Sequence, residues 1–304
     1  MDTLRRWRYP GAWKLFRLDD RLLLIIVGMV VGICSGLASV ALNRSLAAML
    51  EWLSSFRHIW WAFVLPGIGA ALSSLFLDKI MNEGAGHGVP EVIYSVSHHR
   101  GLLRFRTSFS RLISSCLTIG SGGSAGPEAP VVISGAAIGS NIAKFFSLSD
   151  SQRVALVGCG AAGAISAIFN APIAGMVFSM EVILSEWSAV NIIPVGIASV
   201  AGTEISRILQ GNQIPFSHHQ FNLDLVDIIA CLGLAIVTAI ASIVFSRMIN
   251  YVHELSNKVS LPAWVRAGAG GCVVGLMGFF LPVILGEGYP PVRAAIEGMF
   301  EHGL

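Results

Sequence analysis

Charged residues are scarce in this sequence. Only 12% of its 304 residues are Asp, Glu, Lys or Arg, against about a quarter in an ordinary soluble domain. Such a chain has too few polar groups to cover a folded surface, so a soluble enzyme, a nucleic-acid-binding protein and a disordered scaffold are all disfavoured. The 54% of hydrophobic residues and the 33 glycines are instead typical of membrane helices that pack closely or break.

Cysteine is sparse, and the common signal, nucleotide and zinc motifs are missing. The five cysteines all lie in apolar runs without paired spacing, which favours small packing residues over a disulfide framework or a metal site. The basic N-terminus precedes an apolar run that is too long for a signal peptide. The glycine-rich stretch at 120–130 has no Lys followed by Ser or Thr, so it is not a P-loop, and no His-Glu-x-x-His occurs. We therefore predict no cofactor and no metal.

Long uncharged runs are what the sequence does have. Four of them are 19 to 22 residues long: Leu22–Asn43, Ile59–Leu77, Ile228–Ser246 and Ala267–Gly286. A membrane-spanning helix needs about 20 apolar residues. The shorter apolar runs between them are broken by Glu128 and by Asn170–Pro172, a pattern typical of transporters built from discontinuous helices. We predict an all-α polytopic membrane protein with helices near 21–54, 58–80, 91–99, 104–119, 128–146, 151–168, 172–186, 189–210, 224–257 and 264–284.

Basic residues form two clusters that predict the orientation of the chain. The arginines from Arg5 to Arg21 precede the first apolar run and, by the positive-inside rule, place segment 1–21 in the cytoplasm. A second cluster, Arg100 to Arg111, has no acid between positions 92 and 127 and predicts another cytoplasmic linker. The absence of a transit peptide and of long loops suits a bacterial inner (plasma) membrane.

A first break in the apolar pattern lies at Gly86–Pro90. Its two glycines would let the backbone approach a ligand, and Pro90 suits the first turn of a helix, whose free N–H groups attract anions. Taken alone, a plain glycine turn is the better interpretation.

A sequence similar to Gly86–Pro90, Gly286–Pro290, follows a long apolar run 200 residues later, as in transporters with internal repeats. We predict one membrane domain, with a first repeat at 22–211 and the opening helices of a second at 223–304.

A second, more specific break is Gly120–Pro130, which leads through Pro127 and Pro130 into an otherwise uncharged run. Both prolines suit a first turn, so Glu128 should lie at a helix start. An acid there could simply complement the helix dipole. An acid between two membrane runs is nevertheless a functional candidate, because its carboxylate occupies the place an anion would take and could act as a gate. A third break, Phe169–Gly175, begins a short helix carrying Glu181, for which interfacial and buried positions are both open.

These three motifs, in this order and spacing, resemble the CLC family of chloride channels and proton/chloride exchangers. The family's Gly-Ser-Gly-Ile-Pro is similar to Gly86–Pro90, its Gly-Arg-Glu-Gly-Pro to Gly126–Pro130, and its Phe-Asn-Ala-Pro-Leu-Ala-Gly to Phe169–Gly175. The resemblance implies a CLC-type inverted-repeat bundle of tilted and discontinuous helices. It implies a voltage-gated chloride channel or a weakly proton-coupled transporter, not an enzyme. It also implies a homodimer with regions 172–186 and 189–210 in the contact, and chloride or a similar small anion, with protons, as partners.

The resemblance further assigns individual residues. Glu128 would be the gating glutamate, and the remaining residues of the two glycine motifs would bind the anion: Gly86, His87, Gly88, Val89, Pro90, Gly126, Pro127 and Ala129. His87 stands where the family has serine, and Pro127 and Ala129 replace the arginine and glycine that flank the gate. Glu181 matches an internal acid, whereas Val182 occupies the proton-transfer position itself, which favours passive conduction or weak coupling.

The last departure from the family concerns the second repeat. The family's Gly-x-Phe-x-Pro helix start and late tyrosine would lie beyond Leu304, so the second repeat is expected to be incomplete. Two alternatives stay open: a truncated, non-conducting subunit, and an intramembrane metal-dependent hydrolase that uses His87, Glu91, His98 and His99. Adjacent His98 and His99 would point to different faces of a helix, which disfavours the hydrolase.

Overall fold

A computed structural model of the protein describes residues 20–55, 60–84, 88–212 and 225–297. Within these ranges the regular structure is helical: α1 (Asp20–Ser54), a 3-10 turn (Trp60–Val64), α2 (Leu65–Leu75), a π-helical turn (Phe76–Met81), α3 (Val89–His99), α4 (Thr107–Gly120), α5 (Glu128–Phe145), α6 (Asp150–Phe169), α7 (Pro172–Phe178), a second π-helical turn (Ser179–Ile183), α8 (Ala189–Gln210), α9 (Leu225–Lys258), α10 (Ala263–Phe280), a 3-10 turn (Pro282–Ile284) and α11 (Tyr289–Ile296). The predictions for positions 1–19, for Gly86 and for His87 concern residues outside the described ranges.

Among the described residues, six helical segments are long and apolar enough to cross a membrane. They are Asp20–Leu53, Trp61–Met81, Asp150–Phe169, Val190–Gln210, Val226–Lys258 and Ala263–Phe280. Shorter helices lie between them in the chain, so long outer spans alternate with short, broken pieces. This confirms the predicted all-α polytopic architecture.

Helix α6 lies at the centre of the bundle and packs against α1, α5 and α8. Its sequence is rich in small residues, and most of it is buried. A Cβ atom added at Gly160 would overlap the carbonyl of Gly135 on α5, so the two backbones are in direct contact. Small residues permit this close approach between membrane helices, which explains why glycine is so frequent in the sequence.

Several helix boundaries follow the prolines of the sequence. Helices α5 and α7 begin at the predicted residues, Glu128 and Pro172, and α3 begins two residues earlier than predicted, with Pro90 in its first turn. Helix α10 ends at Phe280 rather than near 284, because a residue before proline is pushed out of the helical region and Leu281 is extended, at φ −131° and ψ 80°. The single helix predicted over 58–80 consists of three helical pieces.

Helices α9 and α10 lie at the edge of the described bundle. The most apolar 18-residue window of α9 has no buried residue, and α10 packs mainly against α2. Gly271 of α10 makes the contact with α2, where a Cβ atom would lie 2.7 Å from the Cα atom of Gly67. These helices lead the chain to Gly286–Tyr289, which brings α11 back to the start of α5.

Candidate functional site

The site is built where the starts of three helices meet: α3, α5 and α11. Glu128 is the first residue of α5, and Pro127 precedes it as the N-cap residue. The backbone N–H of Val131 donates to the Pro127 carbonyl at 3.2 Å, which closes the first turn. The preceding N–H groups of this turn have no partner within the helix, so the start of α5 carries partial positive charge.

The Glu128 side chain folds back over the loop that precedes its own helix. A Cβ atom added at Gly126 would overlap Oε2 of Glu128, so the glycine leaves the space that the carboxylate fills. The other carboxylate oxygen, Oε1, accepts a hydrogen bond from the hydroxyl of Tyr289. The two residues are 161 positions apart, so this contact joins the first half of the chain to its last described helix.

The start of α3 lies directly beside the start of α5. Gly88 has φ +67°, a backbone conformation that only glycine adopts easily, and it turns the chain into α3. A Cβ atom at Gly88 would lie 3.1 Å from Cβ of Ala129. The structure therefore brings Gly88, Val89 and Pro90 next to Gly126–Pro130, as expected if both motifs line one site.

Two titratable groups lie near the Glu128 carboxylate: Glu287, before α11, and Tyr289, its first residue. Burial raises the pKa of the Tyr289 hydroxyl well above its ordinary value, and the hydrogen bond to Glu128 and the nearby negative charges raise it further. Burial, and then the charge of Glu128, raise the pKa of the Glu287 carboxyl. Tyr289 therefore stays protonated and remains a hydrogen-bond donor across the physiological pH range.

A cavity of about 630 Å³, lined by both charged and apolar side chains, lies beside α3 and α4. Glu83 is buried in its wall, where its carboxylate accepts hydrogen bonds from the hydroxyls of Thr107 at 2.8 Å and Ser110 at 2.7 Å. Arg111 stands between two acids, with Nε 3.9 Å from Glu83 and Nη2 3.5 Å from Glu91. Arg100 of the same cluster pairs with Asp150 at 2.5 Å. These two arginines of the second basic cluster are thus paired with acids that lie before or after the cluster in the sequence.

Val182 and Glu181 lie on the π-helical turn that follows α7. Val182 packs against an apolar cluster that includes Val92 of α3 and Ile133 of α5. Glu181 is exposed at the surface of the described residues. The structure therefore gives the two neighbouring positions opposite surroundings, one apolar and one accessible.

The sequence profile of the family described as "Voltage gated chloride channel" matches residues 69–304, more than three quarters of the chain. The chain belongs to the voltage-gated chloride channel family. It is 28% identical to a ClcB-like protein of Ralstonia nicotianae, over 90% of this chain and 67% of that protein. It is 27% identical to the chloride channel protein CLC-f of Arabidopsis thaliana, over 90% and 38%, and 25% identical to the H⁺/Cl⁻ exchange transporter ClcA of Vibrio cholerae, over 92% and 64%.

Solved structures with the same fold include a slow cyanobacterial Cl⁻/H⁺ antiporter and a CLC-type fluoride/proton antiporter. The TM-scores are 0.79 and 0.80, at 23% and 19% identity, and the matches cover 94% and 91% of this chain and 69% and 70% of those chains. These likenesses confirm the CLC-type helical fold predicted from the motifs. The chain spans about two thirds of the length of its bacterial relatives.

For this member of the chloride channel family, sequence reasoning missed two features of the site. It noted Tyr289 only as part of the Gly286–Pro290 echo, although that echo marks the segment that reaches Glu128. It also overlooked Glu83. The available signal was the position of this acid between an apolar run and the first glycine motif. Within the described ranges, no group of three His, Cys, Asp or Glu side chains could hold a metal ion.

Proposed function

We propose that this protein carries chloride or a similar small anion across a membrane, with Glu128 as the gate of the pathway. The proposal is carried by the position of the Glu128 carboxylate, at the start of α5 and beside the start of α3. Helix starts attract anions through their free N–H groups and dipoles. An ionised carboxylate at that point competes with a transported anion for the same favourable surroundings.

The gate works through protonation or movement of one side chain. While Glu128 is ionised, its charge is attracted to the α5 start. One of its oxygens accepts a hydrogen bond from Tyr289, and the other fills the space that Gly126 leaves open. A protonated Glu128 loses most of that attraction, so a free anion replaces it. The backbone of both motifs then holds the anion, with Gly86, His87, Gly88, Val89, Pro90, Gly126, Pro127 and Ala129 as its lining.

Transport is passive or only weakly coupled to protons. The position of the internal proton-transfer acid is taken by Val182, whose side chain packs among apolar residues and carries no proton. Glu181 supplies an acid one position away, but it lies at the exposed surface. The names of the relatives include both a chloride channel protein and an exchange transporter, so family membership alone is compatible with either mode.

The protein is a homodimer in a bacterial inner membrane, with its N-terminus in the cytoplasm. Exposed apolar side chains follow one face of α8, at Val190, Ile193, Val200 and Ile208, and form a stripe suited to a second subunit. The arginines of segment 1–21 support the cytoplasmic N-terminus.

The test is chloride efflux from liposomes that contain the purified protein, with the external pH recorded at the same time. Chloride efflux without proton movement supports a passive pathway. Efflux accompanied by proton uptake supports an exchanger that functions despite Val182. No efflux from well-folded protein would contradict the proposal and favour a non-conducting subunit.

The same assay tests the gate. Glu128→Gln is expected to keep the anion flux but lose its pH dependence, because glutamine copies the shape of a protonated glutamate and cannot ionise. Glu254→Gln is the matched control, since it removes an exposed acid on α9 that has no part in the site, and it should keep the pH profile of the natural protein. An unchanged profile in Glu128→Gln would show that Glu128 is not the gate.

A further inference from the structure

The hydrogen bond between Tyr289 and Glu128 gives the α11 start a role that neither the motifs nor the family assignment supplies. Tyr289 is the first residue of α11 and follows Gly288, whose φ of +78° turns the chain toward α5. Its hydroxyl donates to Oε1 of Glu128. A neutral donor that meets an ionised carboxylate forms a charge-assisted hydrogen bond, which is about twice as strong as a neutral one.

The second carboxylate oxygen is accommodated by Gly126. Oε2 fills the space above Gly126, where any side chain would displace it. Gly126 does not have a positive φ, so alanine would fit its backbone and would act only by occupying that space. The donor and the space are independent features, and both favour one position of the same side chain.

We propose that Tyr289 is a positioning residue for the gate: its hydroxyl holds the ionised Glu128 carboxylate above Gly126 and so keeps the pathway closed. This inference rests on the proposed function of Glu128. It assigns the Gly286–Tyr289 segment to the control of the gate. Protonation of Glu128 weakens the hold, because a carboxylic acid is a poorer acceptor than a carboxylate.

The other charged residues near Glu128 are the same in all variants of this test. Glu287 faces Glu128 from the same segment as Tyr289 and is unchanged in every variant. Among the charged groups on helices packed against α5, six have partners of their own: Arg44, Glu51, Glu91, Arg111, Asp150 and Arg153. The other acidic and basic side chains on α1 and α3, namely Asp20, Arg21, His98 and His99, are also unchanged in every variant. A difference between variants at Tyr289 therefore reports on the contact with Glu128.

The experiment measures chloride efflux from liposomes between acidic and alkaline pH for Tyr289→Phe, which removes only the hydroxyl. We expect about a tenfold higher flux at alkaline pH, where Glu128 is ionised, and no difference at acidic pH, where the gate is already released. Gly126→Ala should change the flux in the same direction by displacing Oε2. Tyr251→Phe, on the exposed face of α9, is the matched control and should leave the profile unchanged.

The decisive comparison is Tyr289→Phe in the Glu128→Gln background. If Tyr289 acts through the carboxylate, removal of its hydroxyl has no further effect there. An equal increase in both backgrounds would overturn the proposal. An unchanged pH profile in Tyr289→Phe would also overturn the proposal if Glu128→Gln abolishes the pH dependence. In that case the assignment of Glu128 as the gate would still hold.

A second measurement separates failure of this inference from failure of the proposed function. If the natural protein carries no anion, thermal unfolding in detergent is compared for the natural protein, Glu128→Gln, Tyr289→Phe and the double variant. Non-additive changes in the unfolding midpoint would support the Tyr289–Glu128 contact although the protein does not conduct. Additive changes would overturn it.

Discussion

At the scale of single residues, the proposed function makes Val182 the position that limits proton coupling. We expect Val182→Glu alone to leave chloride flux poorly coupled to protons. The new acid would lie among Val92, Ile133 and other apolar side chains, where burial penalises its ionised form, and one acid does not make a continuous proton path. Simultaneous recording of chloride and pH in liposomes checks this, with Val182→Gln as the uncharged control. Tight stoichiometric coupling in Val182→Glu would contradict the expectation.

Glu83 is a second residue whose effect can be predicted, in this case on stability. Its side chain is 5% exposed, against 37% for Glu91, and both acids pair with Arg111. Glu83→Ala would leave Thr107 and Ser110 without their acceptor and Arg111 without its buried partner. Breaking a buried ion pair costs about 3 kcal/mol or more, whereas a half-exposed pair contributes about 1 kcal/mol or less.

Thermal unfolding in detergent therefore distinguishes the two acids. The unfolding midpoint should fall clearly in Glu83→Ala and change little in the matched variant Glu91→Ala. Equal losses in the two variants would mean that the hydrogen bonds of Glu83 do not stabilise the α3–α4 region. This stabilisation belongs to the scaffold of the site and is separate from the proposed gating role of Glu128.

At the scale of helices, the contact between α5 and α6 positions the proposed gate, because Glu128 is the first residue of α5. We expect Gly160→Ala to lower stability by about 1–3 kcal/mol, since its methyl group would overlap the carbonyl of Gly135. Gly270→Ala on α10 is the control: a Cβ atom there meets nothing within 4 Å, so the change should be neutral or stabilising by about 1 kcal/mol at most. Similar unfolding midpoints for both variants would contradict close backbone contact between α5 and α6.

The helix starts also show what the sequence can and cannot reveal about the site. Pro172 and the prolines around Glu128 predicted where α7 and α5 begin, because proline is tolerated only in a first turn. The π-helical turns after α2 and α7 have no comparable residue signal, so the sequence predicted continuous helices there.

The contact between Glu128 and Tyr289 was beyond the reach of local patterns for a different reason. It depends on how α10 and its 3-10 turn lead the chain back across the bundle, which is a property of tertiary packing. The Gly286–Pro290 echo indicated a second helix start of the same kind. It contained no information about which residue of the first repeat that start would meet.

At the scale of the whole molecule, the exposed face of α8 is the surface proposed to contact a second subunit. Val200 lies in the middle of this face and is 51% exposed, and Val237 on α9 is 64% exposed. Lipid chains are fluid and adapt to a larger side chain, whereas a close-packed protein interface does not. The two exposed valines therefore distinguish a surface that contacts a second subunit from one that contacts lipid.

We expect Val200→Trp to convert the dimer to a monomer and Val237→Trp to leave it intact, because only the first substitution overpacks a protein interface. The molar mass of the protein in detergent, measured by light scattering after size-exclusion chromatography, checks both variants. A natural protein that is already monomeric would contradict the homodimer, and a dimer that survives Val200→Trp would place the interface on another face.

Because Glu128 and Tyr289 belong to the same chain, each subunit holds its own Tyr289–Glu128 contact. A monomeric Val200→Trp variant should therefore keep the pH-dependent flux of the natural protein, and loss of that dependence on dissociation would mean that the partner subunit also positions the gate.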